Sequence, residues 1–165
     1  MIDIDIRFYA AAFVTGLVLF LALRKLHFRQ RISLSLLVPY LFLVLASTVL
    51  TRRTMRRVLL LQPFWSYGVI AAGGLRGQNL LKEVLLNVFM LLPVGLLLPE
   101  IIKKHKALIT ITAGFLFSVM IEVLQLALHR GFFEIDDMIH NTLGVAIGYA
   151  LNRLLNRVFA PSENP

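Results

Sequence analysis

The residues with chemistry to offer fall into three stripes. Asn79, Glu83 and Asn87 recur at i, i+4, i+8, and Ser118, Glu122, Gln125 and His129 at i, i+4, i+7, i+11; Asp137, His140, Asn141 and Gly144 follow shortly after Arg130. On helices these intervals keep each set on one face. Glu122, Asp137 and His140 supply two carboxylates and an imidazole, types suited to acid–base catalysis or to a divalent metal. Their spacing matches no His-Glu-x-x-His zincin, and neither a Gly-rich phosphate loop nor a nucleophile elbow occurs. No catalytic residue, metal site or cofactor is therefore assigned, and the polar groups are expected to bind a ligand rather than transform it.

The elements that must position these stripes are membrane helices. Of 165 residues 58% are hydrophobic and only 16% charged, with a mean hydropathy of +0.79. A soluble domain would carry about a quarter charged residues. The fold class expected is all-α, a polytopic transmembrane bundle forming one domain over 1–165 with a short polar tail at 160–165. With no cysteine there is neither a disulfide framework nor a thiolate metal site. The net charge of +8 sits in short clusters between apolar runs, which fits lipid headgroups and orientation signals and argues against a nucleic-acid partner.

Five runs approach the roughly 20 residues that cross a bilayer core. They are Phe8 to Leu23, Ile32 to Leu50, Leu80 to Ile102, Ala107 to Leu128 and Met138 to about Phe159. The first is read as a retained helix, because the acids Asp3 and Asp5 precede it and Arg24-Lys25 follow, the reverse of a signal peptide. Between the second and third runs, the stretch near 58–72 is short and bounded by Pro63 and Gly73-Gly74, so an interfacial or re-entrant segment is expected there. Trp65 and Tyr67 would anchor it at headgroup level.

Alternation of five spans puts the Arg24–Arg31 loop, the Lys103–Lys106 loop and the C-terminus on one side, with 9 Lys/Arg against 8 on the other. The compact basic loops are the signal that orientation follows best, so they are placed in the cytoplasm and the N-terminus outside. Whichever side is out, all three polar stripes fall in the same half of the membrane. Glu122 lies about 10 Å along its helix from the Arg130 end. The arrangement expected is a polar vestibule between helices, open to the extracytoplasmic side, with Arg52, Arg53, Arg56 and Arg57 at its rim. Ionisable groups at that depth are costly and mark function by default.

Structural roles compete for the same residues. Glu122 could pair internally with Arg130 or be a carboxyl kept neutral by apolar surroundings. Asp136 and Asp137 open a helix, where carboxylates cap the N-terminus, and one of them is assigned to capping. Asn87 and Gln125 could be interhelical glue, and Gly144-Val-Ala-Ile-Gly148 is a small-xxx-small pattern for close packing. The four arginines suit solvated headgroup contact, and their forks also match lipid phosphate.

At these residues the chain resembles the VanZ-like family, small bacterial membrane proteins associated with teicoplanin resistance. The resemblance is carried by Asn87-x5-Pro93-x-Gly95, by Glu122-x-x-Gln125 and by Arg130-x5-Asp136-Asp137-x3-Asn141-x-x-Gly144-x3-Gly148, with a core of about 62–149. Gln62-Pro63-Phe64 resembles the family's Pro-Phe element, with Gln where the family has Asn. The resemblance implies a helical module of the bacterial cytoplasmic membrane linked to lowered glycopeptide or lipoglycopeptide susceptibility, and it supplies no reaction.

Two function classes remain open. The first is a noncatalytic module holding an envelope lipid, a cell-wall precursor lipid or the lipoglycopeptide itself, with Asn87, Glu122, Gln125, Arg130, Asp136, Asp137, His140 and Asn141 as ligand-binding residues and the four arginines at the phosphate. The second is a membrane enzyme modifying such a lipid through Asp137, Glu122 and His140. A transporter ranks third, since five spans without an inverted repeat are few for alternating access.

Overall fold

A computed structural model describes residues 5–159. The acidic residue Asp3 and the polar tail expected at 160–165 lie outside the described residues. Six helices carry the chain: α1 (Ile6–Ala22), α2 (Phe28–Leu45), α3 (Trp65–Ala72), α4 (Gly74–Leu97), α5 (Lys106–Ala127) and α6 (Ile135–Val158). A π turn (Ala46–Leu50) prolongs α2, and a 3-10 turn (Leu98–Glu100) ends α4. Three helical stretches are long and apolar enough to cross a membrane: Phe28–Leu50, Gly74–Glu100 and Lys106–Ala127. At 22 to 27 residues each reaches more than about 30 Å at 1.5 Å per residue.

The bundle is inverted relative to a soluble protein. Buried side chains include Ser33, Ser118, Glu122, Gln125, Asp136, His140, Asn141 and Asn152, while Phe13, Leu36, Leu86, Phe89, Leu116 and Leu154 are exposed. Helix α6 shows the inversion best: it buries Asp136, His140, Asn141 and Asn152 and turns Leu143, Ile147, Leu151, Leu154 and Val158 outward. A helix that hides its polar face inside and shows its apolar face outside suits lipid on its outer side.

Helices α4 and α6 run side by side in the same direction, in the most extensive contact of the fold. Glycines make this approach possible. A Cβ at Gly144 would run into the Val88 carbonyl oxygen, one at Gly148 into that of Leu92, and one at Gly95 into that of Val145. Backbone therefore meets backbone, the contact that small-xxx-small patterns permit where lipid gives no hydrophobic drive for helix association. Gly114 of α5 likewise leaves room for the Val145 side chain. Around the seam lies the apolar core of Leu37, Val44, Val49, Leu91, Val94, Ile121 and Val145.

The α1–α2 hairpin is antiparallel. Arg31 Nε donates to the Phe20 carbonyl, and Phe8 meets Phe42 at 5.8 Å between ring centroids. Pro39 inside α2 has no N–H to give the Ser35 carbonyl four residues back. Gly16 packs over that carbonyl, where an added Cβ would stand 2.8 Å from the oxygen.

Two details depart from the sequence expectation. Helix α4 starts at Gly74 rather than Leu80, since Gly73 and Gly74, both with φ near +74°, make the sharp turn and the polar residues after it remain helical. The all-α expectation also misses a strand pair: within the stretch near 58–72, β1 (Leu59–Leu60) pairs in parallel with β2 (Phe133–Glu134) before α3 begins. The fold is thus helical with one two-residue strand pair. Met55 N–H donates to the His129 carbonyl and Phe133 N–H to that of Val58, so the segment after α2 is laced to the loop after α5. This end of the bundle carries every polar stripe.

Candidate functional site

The end of α2 sets up the site. A π turn at a helix terminus leaves carbonyls without intrahelical donors. Two residues from the α5 end fill them: Gln125 Nε2 donates to the Thr48 carbonyl at 3.1 Å, and Arg130 Nη1 to that of Leu50 at 3.0 Å and to that of Arg52. A guanidinium at a helix C-terminus is also favoured by the macrodipole. Arg130 therefore forms no pair with Glu122. The buried Glu122 carboxylate instead accepts the Glu134 backbone N–H at 2.9 Å, fixing β2 against α5.

Asp136 has an equally specific task. Its carboxylate accepts the backbone N–H groups of Phe64 and Ser66 and the Ser66 hydroxyl. These are the free donors at the N-terminus of α3, so Asp136 caps α3 from a distance and not its own helix. Neither Asp136 nor Asp137 caps α6, whose N-cap is Glu134 with no side-chain bond. The Pro63-Phe64 element delivers that donor, with Phe64 in the left-handed region at φ 62°, while Gln62 is exposed. One turn along α6, His140 Nε2 lies 3.1 Å from the Tyr67 hydroxyl. Its Nδ1 is buried without a partner. Tyr67 is thus tied to α6 while its ring stays exposed, and Trp65 is half-buried. Deeper in the bundle, Asn141 Nδ2 donates to Ser118 Oγ at 2.8 Å.

What remains is a pocket of about 570 Å³ between the end of α2, the middle of α4, β2 and the start of α6. Its polar wall is Arg52, Glu83, Asn87, Glu134 and Asp137; its apolar wall includes Leu86, Phe89 and Met90. Asn87 Nδ2 donates to Asp137 Oδ1 at 2.6 Å. Arg52, Glu83 and Glu134 make no side-chain hydrogen bond among the described residues, where Asp5–Arg7 is the only ion pair. Burial, then the charges of Asp137, Glu83 and Asp136, push the Glu134 carboxyl up to about 7, against the opposing pull of Arg52.

The expected ligand set therefore divides. Asn87 and Asp137 line the pocket with Arg52. Glu122, Gln125, Arg130, Asp136 and Asn141 are brought to the same end of the bundle but hydrogen-bond to the chain itself, with the buried Asn141 Oδ1 left without a partner among the described residues. His140 faces α3 and is not part of the pocket wall, so the expected cluster of Glu122, Asp137 and His140 does not form. Among the described residues no three His, Asp or Glu side chains are grouped to hold a metal ion. Arg53, Arg56 and Arg57 are exposed beside Arg52. Glu134 was missing from the expected set and Glu83 had been placed only on a stripe. Glu83 was legible from its i+4 relation to Asn87, whereas Glu134 depends on the β1–β2 pairing, which leaves no mark in the sequence.

Comparison with known families matches residues 32–156 to VanZ/LLP1. The chain belongs to the VanZ/LLP1 family. Its apolar helices and this membership make it a VanZ-like membrane protein. No curated protein and no solved structure gives a match. The VanZ/LLP1 region starts within α2, leaving α1 outside it, and it includes the whole pocket wall and the glycine seam.

Proposed function

We propose that this VanZ-like protein is a noncatalytic binding module of the bacterial cytoplasmic membrane, with five spans, the N-terminus outside and the C-terminus in the cytoplasm. It takes an amphiphilic envelope ligand, a lipid or a lipoglycopeptide, into the pocket beside α4 and so lowers glycopeptide susceptibility. The fifth span is α6: it is 24 residues long, runs parallel to α4 along the glycine seam and shows its apolar side outward. Helix α1, at 17 residues, pairs with α2 through its length. The basic loops then favour this orientation.

One observation carries the binding reading. A single pocket joins unspent charges, Arg52, Glu83 and Glu134, to an apolar wall of Leu86, Phe89 and Met90, two of which, Leu86 and Phe89, are well exposed on the outer surface. A ligand with a charged head and an apolar tail matches both halves. The enzyme reading through Asp137, Glu122 and His140 has less support, because Glu122 is tied to the Glu134 backbone and His140 to Tyr67. General acid–base work needs such groups within hydrogen-bond reach of one reacting site.

Lipid-resolved mass spectrometry of the purified protein tests the proposal, with teicoplanin susceptibility of expressing cells measured in parallel. Wild type is expected to retain a specific lipid and to protect cells, and Arg52→Ala to lose both while still folding. Equal lipid profiles and equal susceptibility for the two proteins would remove the pocket as the site. Labelling of cysteines introduced at the exposed positions Lys103 and Thr54 tests orientation, and a Lys103 site reactive only from outside would invert it.

A further inference from the structure

The pocket holds charges of both signs that do not neutralise one another. Arg52 stands in its wall with Glu83, Glu134 and Asp137, yet among the described residues no carboxylate oxygen comes within ion-pair distance of the guanidinium. The other nearby acids are already committed, Glu122 to the Glu134 N–H and Asp136 to α3. Asp137 keeps one oxygen free after accepting from Asn87. A purely anionic headgroup would satisfy Arg52 and leave three carboxylates facing negative charge. A purely cationic one would satisfy the acids and crowd the guanidinium.

Resting on the binding reading above, we propose that the ligand is a zwitterionic aminophospholipid, its phosphate on Arg52, its primary ammonium among Glu83, Glu134 and Asp137, and its acyl chains along Leu86, Phe89 and Met90. Each half follows from donor chemistry. A guanidinium fork matches phosphate oxygens in pairs, and Arg53 and Arg56 lie close in sequence at the same rim. An ammonium has three donors and no acceptor, so it satisfies several carboxylates at once, with Asn87 holding Asp137 in place. Burial first, and then Asp137, Glu83 and Asp136, raise the Glu134 carboxyl against the pull of Arg52, in keeping with a wall whose carboxylates outnumber that guanidinium. The lipid, not the free headgroup, is chosen because the apolar wall opens onto exposed Leu86 and Phe89.

The test is native mass spectrometry of the full-length protein against equimolar phosphatidylethanolamine, phosphatidylglycerol and N-acetylated phosphatidylethanolamine, with soluble glycerophosphoethanolamine as competitor. The amine lipid is expected to be retained about tenfold over the other two. Glu83→Gln, at an exposed position, is expected to cut that preference severalfold without lowering phosphatidylglycerol retention; Arg52→Ala is expected to weaken all three lipids. If phosphatidylglycerol or the acetylated lipid binds as well as the free amine, the ammonium assignment is overturned and the binding reading stands. If no lipid is retained above the Arg52→Ala level, both fall. Competition by the soluble headgroup at equal concentration would overturn the choice of a lipid over a free phosphoamine.

Discussion

The α4–α6 pair carries a polar cluster at each end, and the two are built to opposite effect. At the end where α6 finishes, Glu100 accepts from Asn152 and Asn156, both at 2.7 Å, and Asn156 in turn accepts from Arg29. At the other end Asp137 accepts from Asn87, but Arg52, Glu83 and Glu134 have no side-chain partner among the described residues. Both clusters place carboxylates and amides beside the same helices, and only one closes on itself. Polar side chains at membrane depth thus divide into those that hold helices together and those left over for something else. The hydrogen-bond ledger separates them where residue type does not.

The seam between the clusters should be the most sensitive place in the molecule. Gly148→Leu would force a side chain onto the Leu92 carbonyl and pull both ends apart together. A loss of roughly 3 kcal/mol or more is expected, at the upper end for overpacking, seen as collapse of folded yield in detergent and a lower thermal midpoint. If Gly148→Leu kept wild-type stability, the two ends would not share one rigid axis. Asp136→Ala comes next. It strips the cap from α3 and leaves two backbone N–H groups and the Ser66 hydroxyl without their acceptor, a cost of about 2 kcal/mol. Hydrogen exchange should show faster opening confined to 64–72, with the far cluster protected as before.

The sequence shows the helices and the shared end of the polar stripes well, because both rest on local patterns. Asn87, Glu122 and Asp137 stand at one end of the bundle as their periodicity requires, and the small-xxx-small pair at Gly144 and Gly148 lies in a backbone contact. It shows much less of what each side chain does there. Gln125 and Arg130 were candidates to hold a ligand, yet the π turn after α2 exposes carbonyls that claim them. Asp136 was expected to serve its own helix or a ligand, yet it caps α3, 70 residues away from Ser66 in the chain. Such assignments depend on which free donors and acceptors a neighbouring element leaves, and spacing does not encode that. The strand pair of two residues per strand is too short for any alternation signal, so Glu134 entered the pocket unannounced.

Smaller changes sharpen the contrast between the ends. Asn152→Ala removes donors to the Leu96 carbonyl and to Glu100, and should cost about 1 kcal/mol of stability with lipid retention unaltered. Glu83→Gln should do the reverse, shifting stability by no more than about 0.5 kcal/mol while lipid selectivity falls. Unfolding in a denaturant series together with lipid-resolved mass spectrometry reads both. A stability loss at Glu83 equal to that at Asn152 would mean that the two clusters are the same kind of structure.

The smallest expected effect is a pH slope from Glu134. Its carboxyl is raised from 4.5 to about 7 by burial first and then by Asp137, Glu83 and Asp136, so between those values the folded chain keeps a proton that the unfolded chain releases. Stability must then fall as pH rises from about 4.5 and level off above about 7, since stability rises with pH only where the unfolded state binds more protons. Partial exposure of Glu134 weakens the slope through solvent screening. Glu134→Gln should flatten it, as measured by thermal midpoints across pH 5 to 8. A bound aminophospholipid should flatten it too, because an ammonium beside Glu134 favours the charged carboxylate in the folded state. An unchanged slope in Glu134→Gln would place the titration elsewhere and remove Glu134 from the unspent charges that set this end of the molecule apart.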